Sequence, residues 1–130
     1  MIFLDTSALV NALAGNRIAA AALHDALERG ERVRLPALVL FEWLRGPRRA
    51  QELAAQEALF PASAAIAFGP VEAARAATLY KRIGKTRGRE IDIAIAACAI
   101  CHDATLWTFN MRDFDDVPGL RVTTPRQTTP

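Results

Sequence analysis

Four acids in this 130-residue sequence are placed to do chemistry together: Asp5, Glu42, Asp92 and Asp113. Two carboxylates held about 5 Å apart repel by roughly 3 kcal/mol at an effective dielectric near 20. A converging set of this kind therefore needs a cation or protons. Oxygen-only donors at this charge density suit Mg²⁺ or Mn²⁺, which keep several waters and bind through a few carboxylates together with substrate phosphate. Zinc is disfavoured because both histidines, His24 and His102, lie away from the four acids. The chemistry such a site does best is phosphodiester hydrolysis. No Ser/His/Asp or Cys/His arrangement offers nucleophilic catalysis instead.

The elements that carry these acids can be read from the pattern around them. Ile2-Phe3-Leu4 runs straight into Asp5, with Thr6 and Ser7 next and then Leu9, Val10 and Leu13 at helical spacing. This predicts a short buried strand, then a helix capped by Thr6 or Ser7. Asp5 then sits at the carboxyl end of a strand, where open parallel sheets bind ligands. A simple turn or capping role for Asp5 fits these ten residues equally well. A helix follows over 17–29, then a short strand Arg32–Leu35, a helix from Pro36 to Gly46 carrying Glu42, and a polar helix from Pro47 to about Leu59. Ala64–Phe68 reads as a third strand and Val71–Ile83 as a helix, followed by a basic loop from Gly84 to Gly88. From Glu90 to about Cys101 the chain is almost wholly apolar, so that helix is packed on several sides, and Glu90 and Asp92 in its first turn stand out. A first-turn acid favoured by the helix dipole is the plainer account of Glu90. A fourth strand, Thr105–Phe109, precedes Asp113, and a last one spans Leu120–Thr123. If the first and fourth strands are neighbours, Asp5, Asp92 and Asp113 meet at one sheet edge.

Strands alternating with helices imply an α/β sandwich with a mostly parallel sheet of four to five strands. Apolar residues make up 52% and charged residues 23%, as expected of one globular domain. The formal charge of +2 argues neither for nor against nucleic acid. The opening apolar run is too short for a signal peptide, and no stretch approaches the roughly 18 apolar residues of a membrane span, so a cytoplasmic protein without membrane contact is expected. Cys98-Ala99-Ile100-Cys101-His102 matches the haem-attachment spelling, but it lies inside an Ala/Ile-rich helical run. Two buried cysteines acting as small hydrophobes is the simpler account.

The ordered set Leu4-Asp5-Thr6-Ser7, Glu42 with Arg45-Gly46, Asp92-Ile93-Ala94-Ile95-Ala96-Ala97, Thr108-Phe109-Asn110 with Asp113-Phe114, and Gly119-Leu120 resembles the PIN-domain ribonucleases. Within them it resembles most the VapC-type toxins of toxin–antitoxin pairs. The resemblance implies a three-layer α/β/α sandwich over residues 1–125, with 126–130 as a flexible tail. It also implies a Mg²⁺- or Mn²⁺-dependent endoribonuclease, the toxin of a type II pair, restrained by a cognate VapB-type antitoxin that commonly inserts a basic side chain into the acidic site. A homodimer is expected.

Carried over residue by residue, Asp5, Glu42 and Asp92 match the family's acidic positions and Asp113 supplies the fourth, with Asp5, Asp92 and Asp113 as metal ligands. Some relatives have an acid where this chain has the uncharged Asn110. Ser7 is a hydroxyl neighbour of the site, Glu90 an outer-sphere helper and Asn110 a supporting residue. Basic residues offer phosphate contacts: Arg45 in a patch beyond Glu42, and Lys85, Arg87 and Arg89 in a run that abuts the Asp92 turn. Trp43 and Trp107 read as core, and Leu13, Ile18, Leu23 and Leu27 as an apolar face for a dimer partner or antitoxin. Two competing readings are an inactive binding module, for which Asn110 speaks, and a phosphotransfer domain using Asp5. The second lacks an acid at position 7 and a lysine after the last strands.

Overall fold

In a computed structural model, which describes residues 1–15 and 17–126, Ile2–Leu4 forms the central strand β1 and is wholly buried. Helices α1 (Thr6–Leu13) and α2 (Arg17–Glu28) carry the chain to β2 (Val33–Arg34). Helices α3 (Ala37–Arg45), α4 (Ala50–Leu59), α5 (Pro70–Arg82) and α6 (Glu90–Cys101) follow, then β3 (Thr105–Trp107) and β4 (Arg121–Thr123). Two short 3-10 turns, Ala62–Ala64 and Met111–Asp113, complete the order. The four described strands form one sheet in the order β2-β1-β3-β4, and every pairing is parallel. With six helices flanking that sheet, the chain is an α/β/α sandwich. The five residues expected as a tail lie outside the described residues apart from Arg126.

This strand order has a functional consequence. The chain leaves β1 toward β2 on one side and later returns to pair β3 on the other, so the winding reverses between β1 and β3. Open α/β sheets bind ligands at the carboxyl ends of strands flanking such a reversal. Phe3 pairs with Leu106 and Leu4 with Trp107. The next residues, Asp5 and Thr108, therefore emerge side by side, and the ladder continues through Asp5 N–H to the Trp107 carbonyl at 3.0 Å.

The core follows from composition. Helix α6 buries Ile93, Ile95, Ala96, Ala97, Cys98 and Ala99, and it packs against α5, α3 and β3. Its small residues let neighbouring backbones approach on several sides at once. Trp43 is fully buried and Trp107 nearly so, both in the core as expected.

Two expected elements differ. Ala64–Phe68 is not a strand: it makes one parallel bridge, Pro36 to Ile66, through Ile66 N–H to the Leu35 carbonyl (2.8 Å) and Ala37 N–H to the Ile66 carbonyl (2.7 Å). Helix α3 begins at Ala37, so no further extended residue is available to pair. The polar helix starts at Ala50 rather than Pro47. Arg48 turns back to donate to the Trp43 carbonyl (3.0 Å) and lies 4.3 Å over the Trp43 ring, and Glu52 accepts from the Arg49 N–H (2.8 Å) to open the helix.

Candidate active site

Asp5 is the N-cap of α1. Its Oδ1 accepts from the Ala8 N–H at 2.8 Å and from the Ser7 hydroxyl at 2.7 Å. The expected cap, Thr6 or Ser7, is thus one residue off, because the strand ends at Leu4 and Asp5 is already at the boundary. Oδ2 accepts from the buried Thr108 hydroxyl at 2.5 Å. Thr108 Oγ1 in turn accepts from the Asn110 N–H (2.9 Å), and Ser7 Oγ accepts from the Phe109 N–H (2.9 Å). The turn after β3 is thereby wrapped around the carboxylate that ends β1. An ionised carboxylate has about four lone-pair positions. Three are used here, and the one left is on Oδ2.

An open cleft of about 380 Å³ begins at Asp5 and is lined also by Ser7, Glu42, Asp92, Asn110 and Asp113. Glu42 comes from α3, where its Oε1 accepts from the Thr6 hydroxyl at 2.5 Å and its Oε2 stands 3.3 Å from an Arg45 nitrogen. Asp92 comes from the first turn of α6 and accepts no hydrogen bond among the described residues. Asp113 and Asn110 come from the 3-10 turn after β3 and from its cap. The four expected acids thus share one cleft, and Asn110 and Asp113 both face it rather than one excluding the other.

The electrostatics agree with the geometry. Burial, and then the charges of Asp113, Glu42 and Asp5, push Asp92 up to about 6, with Arg89 acting in the opposite sense. Asp5 is also raised, by burial first, although the hydrogen bonds from Thr108, Ala8 and Ser7 favour its charged form. Mutual repulsion of this kind is relieved by a cation. Among the described residues no three such side chains stand close enough to form a ready-made ion cage. The cleft offers carboxylate and amide oxygens, the donor type that Mg²⁺ or Mn²⁺ takes with waters completing its shell. Asp92, with no hydrogen bond to break, and the spare position on Asp5 Oδ2 are the donors most available, with Asp113 across the cleft.

The remaining expectations separate. Glu90 is a correction: it is exposed and lines another depression between α5 and α6, beside Phe68, Tyr80 and Ile93, so it does not stand behind the acids. Arg45 is tied to Glu42 and lies 5.0 Å over the Phe41 ring. Lys85 and Arg87 are exposed in the loop before α6. Arg89 is committed to protein partners through four hydrogen bonds. Sequence reasoning read Thr6 only as a possible helix cap and assigned no role to Thr108, whereas the two hydroxyls donate to Glu42 and Asp5. The only signal for Thr108 was its place directly after β3 and in parallel with Asp5.

The sequence matches the family described as "PIN domain" over residues 2–120. It is 37% identical over 123 residues to Ribonuclease VapC19 of Mycobacterium tuberculosis, an alignment covering 93% of this chain and 98% of that protein. The fold is similar to a toxin-antitoxin complex from Klebsiella pneumoniae, with a TM-score of 0.73 at 26% identity, covering 98% of this chain and 100% of that one. It is also similar to DNA-bound VapBC from Salmonella typhimurium, with a TM-score of 0.76 over 95% of this chain and 96% of that one. At 18% identity that second likeness speaks for the fold alone.

Proposed function

This chain belongs to the PIN-domain family, in its VapC-type branch, and from that premise we propose that it is a metal-dependent endoribonuclease acting as the toxin of a type II toxin–antitoxin pair. The observation that carries the proposal is the single cleft shared by Asp5, Glu42, Asp92 and Asp113 at the winding reversal of the sheet. The ribonuclease name of the 37% identical relative supports the substrate class.

In this reading Asp5, Asp92 and Asp113 hold Mg²⁺ or Mn²⁺. A divalent ion there would supply the activation of water and the neutralisation of phosphate charge that phosphodiester hydrolysis requires. The chain's own residues do the rest. Thr108 and Ser7 fix the Asp5 carboxylate in one orientation, and Thr6 does the same for Glu42. Glu42, partly exposed on the cleft wall, is the group available to take a proton from the attacking water. Lys85 and Arg87, exposed in the loop before α6, offset phosphate charge that the acids would otherwise repel.

The partners belong to the same proposal. A VapB-type antitoxin is supported by the toxin-antitoxin complex among the similar structures. An apolar depression lined by Leu13, Leu23, Leu27 and Leu59 offers it a surface. A homodimer is part of the same proposal. No helix among the described residues is long and apolar enough to cross a membrane.

Incubating purified protein with total RNA is the test. Cleavage is expected with Mg²⁺ or Mn²⁺, is expected to stop with EDTA, and is expected to return when metal is restored. RNA left intact under all metal conditions would contradict the enzyme and leave an inactive binding module in its place.

A further inference from the structure

We propose that Arg89 is a positioning residue, which through Asp116 and the Asp113 carbonyl fixes the distance between the Asp113 loop and the Asp92 turn and so sets the affinity of the cleft for a divalent ion. This rests on the metal-dependent reading above. The observation is a four-bond clamp. Arg89 Nη1 donates to Asp116 Oδ2 (2.9 Å) and to the Lys85 carbonyl (2.6 Å). Nη2 donates to Asp116 Oδ1 (2.6 Å) and to the Asp113 carbonyl (3.0 Å). A guanidinium has five N–H donors, so only Nε–H is left, and the side chain is only 20% exposed. Bidentate carboxylate pairs of this kind are strong and fix geometry as well as charge.

What the clamp joins gives it meaning. The Arg89 carbonyl accepts from the Ile93 N–H at 2.9 Å, so its backbone opens the turn of α6 that carries Asp92. Its side chain holds the carbonyl of Asp113, whose carboxylate faces the same cleft. These two acids come from segments separated in sequence, and Arg89 bonds directly across them. The guanidinium also lies close enough to sense both charges. As a charge alone it would oppose a cation in the cleft. As a positioning group it would favour one, by keeping two donors at a workable separation. The two roles therefore predict opposite signs.

Mn²⁺ binding to the purified full chain, followed by the EPR signal of free Mn²⁺, separates them, with circular dichroism used to confirm that each variant is folded. Two variants are compared, Arg89→Gln, which removes charge and clamp, and Arg89→Lys, which keeps the charge but cannot reproduce the fork. Both are expected to weaken Mn²⁺ binding by about 10-fold or more, the usual cost of losing an outer partner of a metal ligand. Tighter binding by Arg89→Gln, or unchanged binding by a folded Arg89→Lys, would overturn the positioning role while leaving the metal reading intact. Wild-type protein that binds no Mn²⁺ would overturn both.

Discussion

Asp5 meets two demands with one carboxylate. It caps α1 through the Ala8 N–H and faces the cleft through the oxygen that Thr108 holds. A helix cap is worth about 1 kcal/mol and a buried hydroxyl left without its partner costs about 1–3 kcal/mol. Asp5→Ala should therefore lower stability by about 2 kcal/mol or more as well as abolish cleavage, so its loss of activity would be ambiguous. Thr108→Val keeps the shape of the side chain and removes only the hydroxyl. We expect it to lower the free energy of unfolding in urea by about 1–3 kcal/mol, and to weaken Mn²⁺ binding by about 10-fold because Asp5 loses the bond that aims it. The places of Asp5 after β1 and of Asp92 in the first turn of α6 were legible in the sequence because a strand running into an acid, and an acid opening an apolar helix, are local patterns. Thr108 was not, because its role exists only once β1 and β3 are paired in register.

At the scale of elements, α6 is the piece on which the site depends. Ala96, Ala97 and Ala99 are almost fully buried, where added methylenes have nowhere to go. Ala96→Leu should destabilise the fold by about 1–3 kcal/mol by overpacking, read as a lowered thermal midpoint. The same helix explains why an outer-sphere role for Glu90 was offered beside its plainer reading as a first-turn acid. A helix apolar nearly all round has no polar face from which to infer direction, so sequence could place Glu90 and Asp92 in one turn but not say which faces the acids. Ala64–Phe68 failed for a related reason. A short apolar run has strand composition, but pairing needs a partner, and α3 removes that partner after Pro36. The clamp between Arg89 and Asp116 spans 27 residues and had no local signal at all.

For the whole molecule, four acids gather in one cleft at the carboxyl ends of β1 and β3, while Lys85 and Arg87 stand exposed in the loop before α6. If the loop cations hold phosphate, raising NaCl from about 50 to about 200 mM should raise KM for RNA by about 10-fold, as expected for two or three neutralised phosphates, with little change in kcat. The acidic cleft also makes stability depend on pH. Asp92 is raised from 3.8 to about 6 in the folded chain, so the folded state keeps a proton there that the unfolded chain has released. Its contribution is fully present below about pH 3.8 and is lost as pH rises through about 6. At neutral pH the ionised, metal-free site therefore carries a penalty of about 1–2 kcal/mol, after discounting for the side chain's partial exposure. Asp92→Asn removes the penalty and gives up only a few tenths of a kcal/mol of helix-dipole interaction.

The most direct measurement is a paired one on wild-type protein and Asp92→Asn: thermal midpoint without metal from pH 4 to pH 7.5, and RNA cleavage with Mn²⁺. The expected result is a variant that melts several degrees higher at pH 7.5, with the gap closing toward pH 4, yet cleaves RNA at least about 100-fold more slowly. A variant that cleaves RNA at the wild-type rate would contradict the assignment of this cleft as the active site.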